Sequence, residues 1–143
     1  MPRLSVWMIR TALVYLVVGF GLGAVMLAYK VTPFTPVLIA RLRPLHVELL
    51  TLGWTMNLAL GVAYWILPRR ASDGERGSEA VITLAWAMLN VGVLSVGVGQ
   101  GSDAPVAPLI GRLAEAAAAG TFALHAWSRV KPFGTGTGER RSR

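Results

Sequence analysis

Residues 41–70, RLRPLHVELLTLGWTMNLALGVAYWILPRR, decide how this chain is read. They form an apolar run of membrane length, with arginines at both ends and one histidine, His46, near its start. An ionisable side chain inside a bilayer segment is costly, so it is a functional candidate whose partner has to be found. Imidazole is also the commonest protein ligand for haem iron and for copper. The question is therefore what His46 holds: a metal, or a neighbouring helix or interfacial water, to which a membrane histidine also bonds.

Working outward from that stretch, 54% of the residues are hydrophobic, 15% are charged and the mean hydropathy is +0.54. Such a composition predicts an integral membrane protein with no soluble catalytic domain. Four apolar stretches can each span a ~30 Å hydrocarbon core, which takes ~20 helical residues. They lie at about residues 9–29, 45–67, 80–99 and 107–127. The expected fold is an all-α, four-transmembrane-helix bundle over residues 1–131, followed by a disordered tail at 132–143 that is polar and glycine-rich. The first apolar run has a basic flank, as a signal peptide does. It is too long for a signal core and lacks a small-x-small cleavage site, so it reads as a retained helix.

The net charge of +7 does not indicate nucleic acid. If four helices alternate across the bilayer, Arg3, Arg10, Arg69, Arg70, Arg76, Arg129, Lys131, Arg140, Arg141 and Arg143 fall on one side. Lys30, Arg41, Arg43 and Arg112 fall on the other. This is the positive-inside pattern, and it predicts that both termini face the cytoplasm of a cell inner (plasma) membrane, with some attraction to anionic lipid. There is no cysteine, so this chain supplies no disulfide, thiolate ligand, covalent haem thioether or iron–sulfur cluster.

On the second helix, α-helical spacing puts His46 in register with Leu49, Leu50, Gly53, Asn57, Gly61 and Tyr64. Two glycines beside an asparagine make a shallow groove with a polar floor, against which a flat macrocycle or another helix can lie. Glu48, Thr51 and Thr55 form a second polar stripe, so His46 and Glu48 point different ways and do not ligate one metal within a single helix. The loop at 30–44 has three prolines and reads as an interfacial turn, with Pro44 starting the helix. Gly19 and Gly23 form a Gly-x-x-x-Gly step on the first helix. Asn57 is expected to bond across the bundle. Arg112 and Glu115 are spaced to form an ion pair on the fourth helix, as a packing device or a proton relay. His125 follows an almost complete crossing and should lie more than ~20 Å in depth from His46, so the two do not share a haem. If His46 needs a second histidine, the obvious source is His46 of another protomer.

The Arg41-x-Arg43-Pro44-Leu45-His46 start, Gly53 and the Tyr64-x-x-x-Pro68 ending resemble the second transmembrane helix of haem–copper oxidase catalytic subunits. The likeness is strongest to the b-type-haem oxidases that use cytochrome c and to nitric oxide reductases, and it covers roughly thirty residues. It implies that His46 is an axial ligand of haem b, with Arg41 and Arg43 at the propionates, Gly53 against the ring and Asn57 beside it. Arginine suits a propionate because its planar fork binds carboxylate in two places. The departures are large. The family's catalytic subunit has twelve helices, in three similar four-helix arcs about a pseudo-threefold axis, and its copper histidines and remaining haem ligands lie on helices absent here. A complete oxygen- or nitric-oxide-reducing centre is not encoded by one such chain.

What the resemblance implies is a small haem b protein like one arc, assembled as a homo-oligomer (trimer or dimer), for electron transfer or for binding oxygen or nitric oxide. Two other readings stand beside it. One is a haem-free accessory or assembly subunit that packs on a respiratory-chain partner. The other is a copper site on an oligomer axis, built from His46 of several chains, with or without Glu48.

Overall fold

Residues 1–31, 36–68, 77–101 and 106–130 are described by the structure, a computed structural model, and they are helical except at their ends. Helix α1 covers Arg3–Val31. Helix α2 (Pro36–Glu48) runs without a break into a π-helix at Leu49–Met56 and then into α3 (Asn57–Ile66), so these three make one rod, helix two. Helices α4 (Glu79–Gly101) and α5 (Val106–Trp127) follow. Arg3–Val31, Ile39–Ile66 and Glu79–Gly99 are long and apolar enough to cross a membrane. In space α1 packs on helix two, helix two on α4, and α4 most extensively on α5.

The helices extend beyond the apolar runs that announce them. Helix α1 begins at Arg3 instead of residue 9, because Leu4, Ser5 and Met8 lie on the face buried against helix two. The larger correction is at helix two. Its helical backbone starts at Pro36, a residue suited to a first turn, and Pro44 lies well inside α2 instead of opening it. Of the expected 30–44 turn, only residues 32–35 lie outside the described residues. The tail at 132–143 also lies outside them. At its other end helix two stops as expected. Leu67 turns to extended geometry (φ −55°, ψ 133°), which the following Pro68 demands.

Helix two and α1 run antiparallel and meet through glycines. A Cβ on Gly53 would lie 2.9 Å from the Tyr15 ring, and one on Gly61 would lie 2.8 Å from Met8 Cβ. The α4–α5 contact is closer still. Cβ atoms on Gly92 and Gly111 would each come within 2.8 Å of the other's carbonyl oxygen, so the two backbones touch. Leu89, Val93, Val96, Ala118 and Phe122 are buried on either side of that contact. Lipid is as apolar as these side chains, so close packing of this kind, more than hydrophobic burial, is what holds membrane helices together.

The π-helix is the feature least visible beforehand. Its wide turns shift helical register and leave carbonyls without their usual partners. Thr55 Oγ1 donates to Leu50 O, five residues back, at 2.9 Å, and Asn57 Nδ2 donates to Gly53 O at 2.7 Å. Asn57 also bonds across the bundle, as expected. Its side-chain amide and that of Asn90 on α4 exchange hydrogen bonds of 3.5 and 3.2 Å, while Asn90 Nδ2 reaches Trp86 O at 2.7 Å. The pair locks helix two to α4 at the end of the π turn.

Candidate functional site

His46 leaves α2 toward α1. Its Nδ1 lies 2.7 Å from the backbone carbonyl oxygen of Gly19. A carbonyl only accepts, so Nδ1 carries a proton, and in the neutral tautomer that this bond selects the lone pair is on Nε2. Metal-ligating histidines are held in this way, by a hydrogen bond from one ring nitrogen that orients the other. Gly23, one turn beyond Gly19, makes room for the ring: a Cβ there would sit 3.0 Å from His46 Cε1.

Beside His46, α1 and α2 line a groove of about 750 Å³. Its lining mixes apolar side chains such as Ile39 and Val47 with Lys30, Arg43 and His46. Arg43, one turn before His46, is therefore in place to meet an anionic group. Arg41 is exposed and lies outside the lining, and Lys30 on α1 is the second cation of the groove. Lys30 was missed because nothing in the linear order ties the end of α1 to the start of α2. Gly53 and Asn57 are not part of this groove. Gly53 is covered by the Tyr15 ring and Asn57 is buried against Asn90, so the expected face of helix two is occupied by a neighbouring helix within the chain. A macrocycle at Gly53 is incompatible with Tyr15 where it stands.

Glu48, two residues after His46, turns the other way. Arg112 on α5 grips both its oxygens, with Nη1 to Oε1 at 3.0 Å and Nη2 to Oε2 at 2.6 Å. The expected Arg112–Glu115 pair also forms, Nη1 to Oε2 at 2.8 Å. One guanidinium thus bridges two carboxylates that are 3% and 7% exposed. Glu48 is a buried tie between helix two and α5. The same tie removes Glu48 from any donor set shared with His46 in one chain. Among the described residues no group of three or more His, Cys, Asp or Glu comes together to hold a metal. Thr51 and Thr55, the rest of that polar stripe, stay exposed and bond back to their own helix.

At the far end of the bundle, Arg129 sits just beyond α5, 1% exposed. Read from sequence it was one more topological charge. Its Nε donates to Pro68 O at 3.0 Å and its Nη2 to Leu67 O at 2.8 Å and Tyr64 O at 3.1 Å, closing the end of α3. Its guanidinium carbon also stands 5.3 Å from the centre of the Tyr64 ring. His125, one turn earlier, is buried with it. Since Arg129 meets the end of helix two and His46 lies toward its start, His125 and His46 occupy opposite ends of the bundle.

The family described as Cytochrome C and Quinol oxidase polypeptide I matches residues 3–129, which is all but the ends of the chain. The chain belongs to this family. It is a haem–copper oxidase subunit I-like membrane protein, and the four helical rods agree with a single four-helix unit of such a subunit. Comparison with curated proteins and with solved structures finds no significant match. Members of the oxidase polypeptide I family generally bind haem and copper. Within this member of the family, the imidazole held by Gly19 O and the amphiphilic groove beside it suit the first of these.

Proposed function

We propose that this protein is a small integral membrane haem b protein, built like one four-helix unit of an oxidase catalytic subunit, with His46 as an axial ligand. The observation that carries the reading is the His46 Nδ1 to Gly19 O bond, which leaves Nε2 as a ligand nitrogen beside a groove of suitable character. The donor set fits the group: an imidazole oriented by Gly19 O, apolar walls for the macrocycle, and Arg43 with Lys30 for its carboxylates. When bound, such a haem supplies reversible one-electron chemistry, or an open iron position for oxygen or nitric oxide. The chain's own residues hold the ring, exclude water from it and fix the imidazole.

In this reading α5 is a fourth span, both termini are cytoplasmic, and the protein lies in the inner (plasma) membrane as a homo-oligomer. The charge distribution of the sequence supports the orientation. The test is a visible spectrum of the detergent-purified protein, oxidised and reduced, with a pyridine extract to quantify haem b. Near-stoichiometric haem, lost in His46→Ala, supports the proposal. A featureless spectrum after expression with ample haem overturns it.

A second reading is favoured by the Gly53–Tyr15 contact, because that face of helix two is filled by the chain itself. Here the fold is kept without its cofactor, as an accessory or assembly subunit for a respiratory complex. A colourless, metal-free preparation supports this reading. Stoichiometric copper on a colourless preparation supports instead a site shared by His46 of several chains.

A further inference from the structure

We infer that the contact between helix two and α5 is a proton-binding site, in which Glu115 carries a proton at neutral pH and Glu48 does not. One guanidinium, that of Arg112, stands against two carboxyl groups that are 3% and 7% exposed. Glu48 Oε1 and Glu115 Oε2 meet on the same nitrogen, Nη1, at 3.0 and 2.8 Å. Two carboxylates sharing one cation in this way leave a net negative charge inside an apolar bundle, and like charges at such range do not both form. A single proton removes that charge.

The hydrogen bonds decide which carboxyl takes it. Both oxygens of Glu48 accept from Arg112, at 3.0 and 2.6 Å, so Glu48 is satisfied as a carboxylate. Glu115 has a donor on Oε2, whereas its Oε1 is buried and has no hydrogen-bond partner. A bare carboxylate oxygen there is costly, while a hydroxyl has an acceptor within reach, the Glu48 carboxylate. The groups that face Glu115 are Arg112 on its own helix, Glu48 on helix two and Gly92 on α4, whose one titratable residue, Glu79, opens that helix. His46 points away toward α1, so the site stands whether or not haem binds.

The test uses the full chain, purified in detergent, as wild type, Glu115→Gln and Glu48→Gln. Infrared spectra of the wild type at neutral pH should show a protonated-carboxyl C=O band that shifts in deuterium oxide. Glutamine copies the protonated acid, with an oxygen for Arg112 and an amide hydrogen for Glu48. Glu115→Gln should therefore lose the band and keep the wild-type thermal midpoint. Raising the pH strips the proton from wild type and leaves the extra buried charge, so its midpoint should fall; Glu115→Gln should lack that part of the fall. Glu48→Gln leaves Arg112 to Glu115 alone, so Glu115 ionises and the band should vanish; this variant carries the test if Glu115→Gln fails to accumulate. A wild type without the band, or a band that survives either substitution, overturns the inference. So does a Glu115→Gln midpoint well below wild type at neutral pH, the mark of an ionised glutamate lost from its ion pair.

Discussion

The imidazole of His46 donates from Nδ1 to the backbone carbonyl of Gly19 across 2.7 Å, joining helix two to α1. The bond determines which nitrogen can serve as a ligand. It also explains the glycine at 23, where a Cβ would sit 3.0 Å from the ring, whereas a Cβ at Gly19 would meet the Leu50 side chain.

Gly23 and Gly21 therefore respond differently to substitution. A side chain at Gly23 pushes directly on the imidazole, whereas a Cβ at Gly21 meets nothing within 4 Å. Gly23→Val should lower haem retention, and Gly21→Ala should leave it unchanged. Haem-to-protein ratios by pyridine extraction measure both, and equal losses in the two variants would refute the placement of His46.

At the groove, Arg43 lines the wall and Arg41 does not. Arg43→Gln should weaken haem retention about tenfold, the ~1.5 kcal/mol of one charge-assisted hydrogen bond. Arg41→Gln should have little effect. Titration of apo-protein with haem in detergent distinguishes them, and a larger loss at Arg41 would point to a different propionate arrangement.

The Arg112 bridge makes an opposite-sign test. Arg112→Leu strands Glu48, which is 3% exposed, without its partner. Breaking a fully buried pair costs ~3–5 kcal/mol, and the half-exposed Arg112 places this one lower, at about 2–3 kcal/mol. Glu48→Leu combined with Arg112→Leu should destabilise less than Arg112→Leu alone, because no carboxylate is left stranded at position 48. Denaturation midpoints in a fixed detergent give the comparison; simple additivity of the two single losses would show that the pair is not coupled.

Arg129 should not tolerate lysine. One ammonium cannot reproduce three bonds to the Tyr64, Leu67 and Pro68 carbonyls together with the planar stack on Tyr64. Arg129→Lys should destabilise by about 1–3 kcal/mol, the cost of leaving buried carbonyls unsatisfied. Proteolysis near Pro68 should rise in parallel. Unchanged stability would mean that water or another group takes over the carbonyls.

The α4–α5 seam gives a steric test. Gly92→Ala sets a methyl group 2.8 Å from Gly111 O and 2.6 Å from Glu115 Cγ, and the backbone contact cannot yield without parting the helices. A loss of ~1–3 kcal/mol is expected, as for other overpacked sites. Thermal unfolding of Gly92→Ala in a fixed detergent would show it.

Hydropathy, charge placement and the Arg-x-Arg-Pro-Leu-His motif by themselves determined the membrane class, the four helical rods and the choice of His46. Each of these depends on local composition or spacing, which a linear string records. The opposed directions of His46 and Glu48 were legible for the same reason, since two residues on one helix differ by a set angle. What only the tertiary structure decided were the partners. Gly53 belongs to Tyr15, Glu48 to Arg112, Arg129 to the end of α3, and Lys30 to the groove of Arg43 and His46. Those pairings join residues from different helices, and their depth and rotation depend on how whole rods pack. The π turn at Leu49–Met56 adds to this, because it rotates everything after it relative to the α-helical register from which the faces were first read.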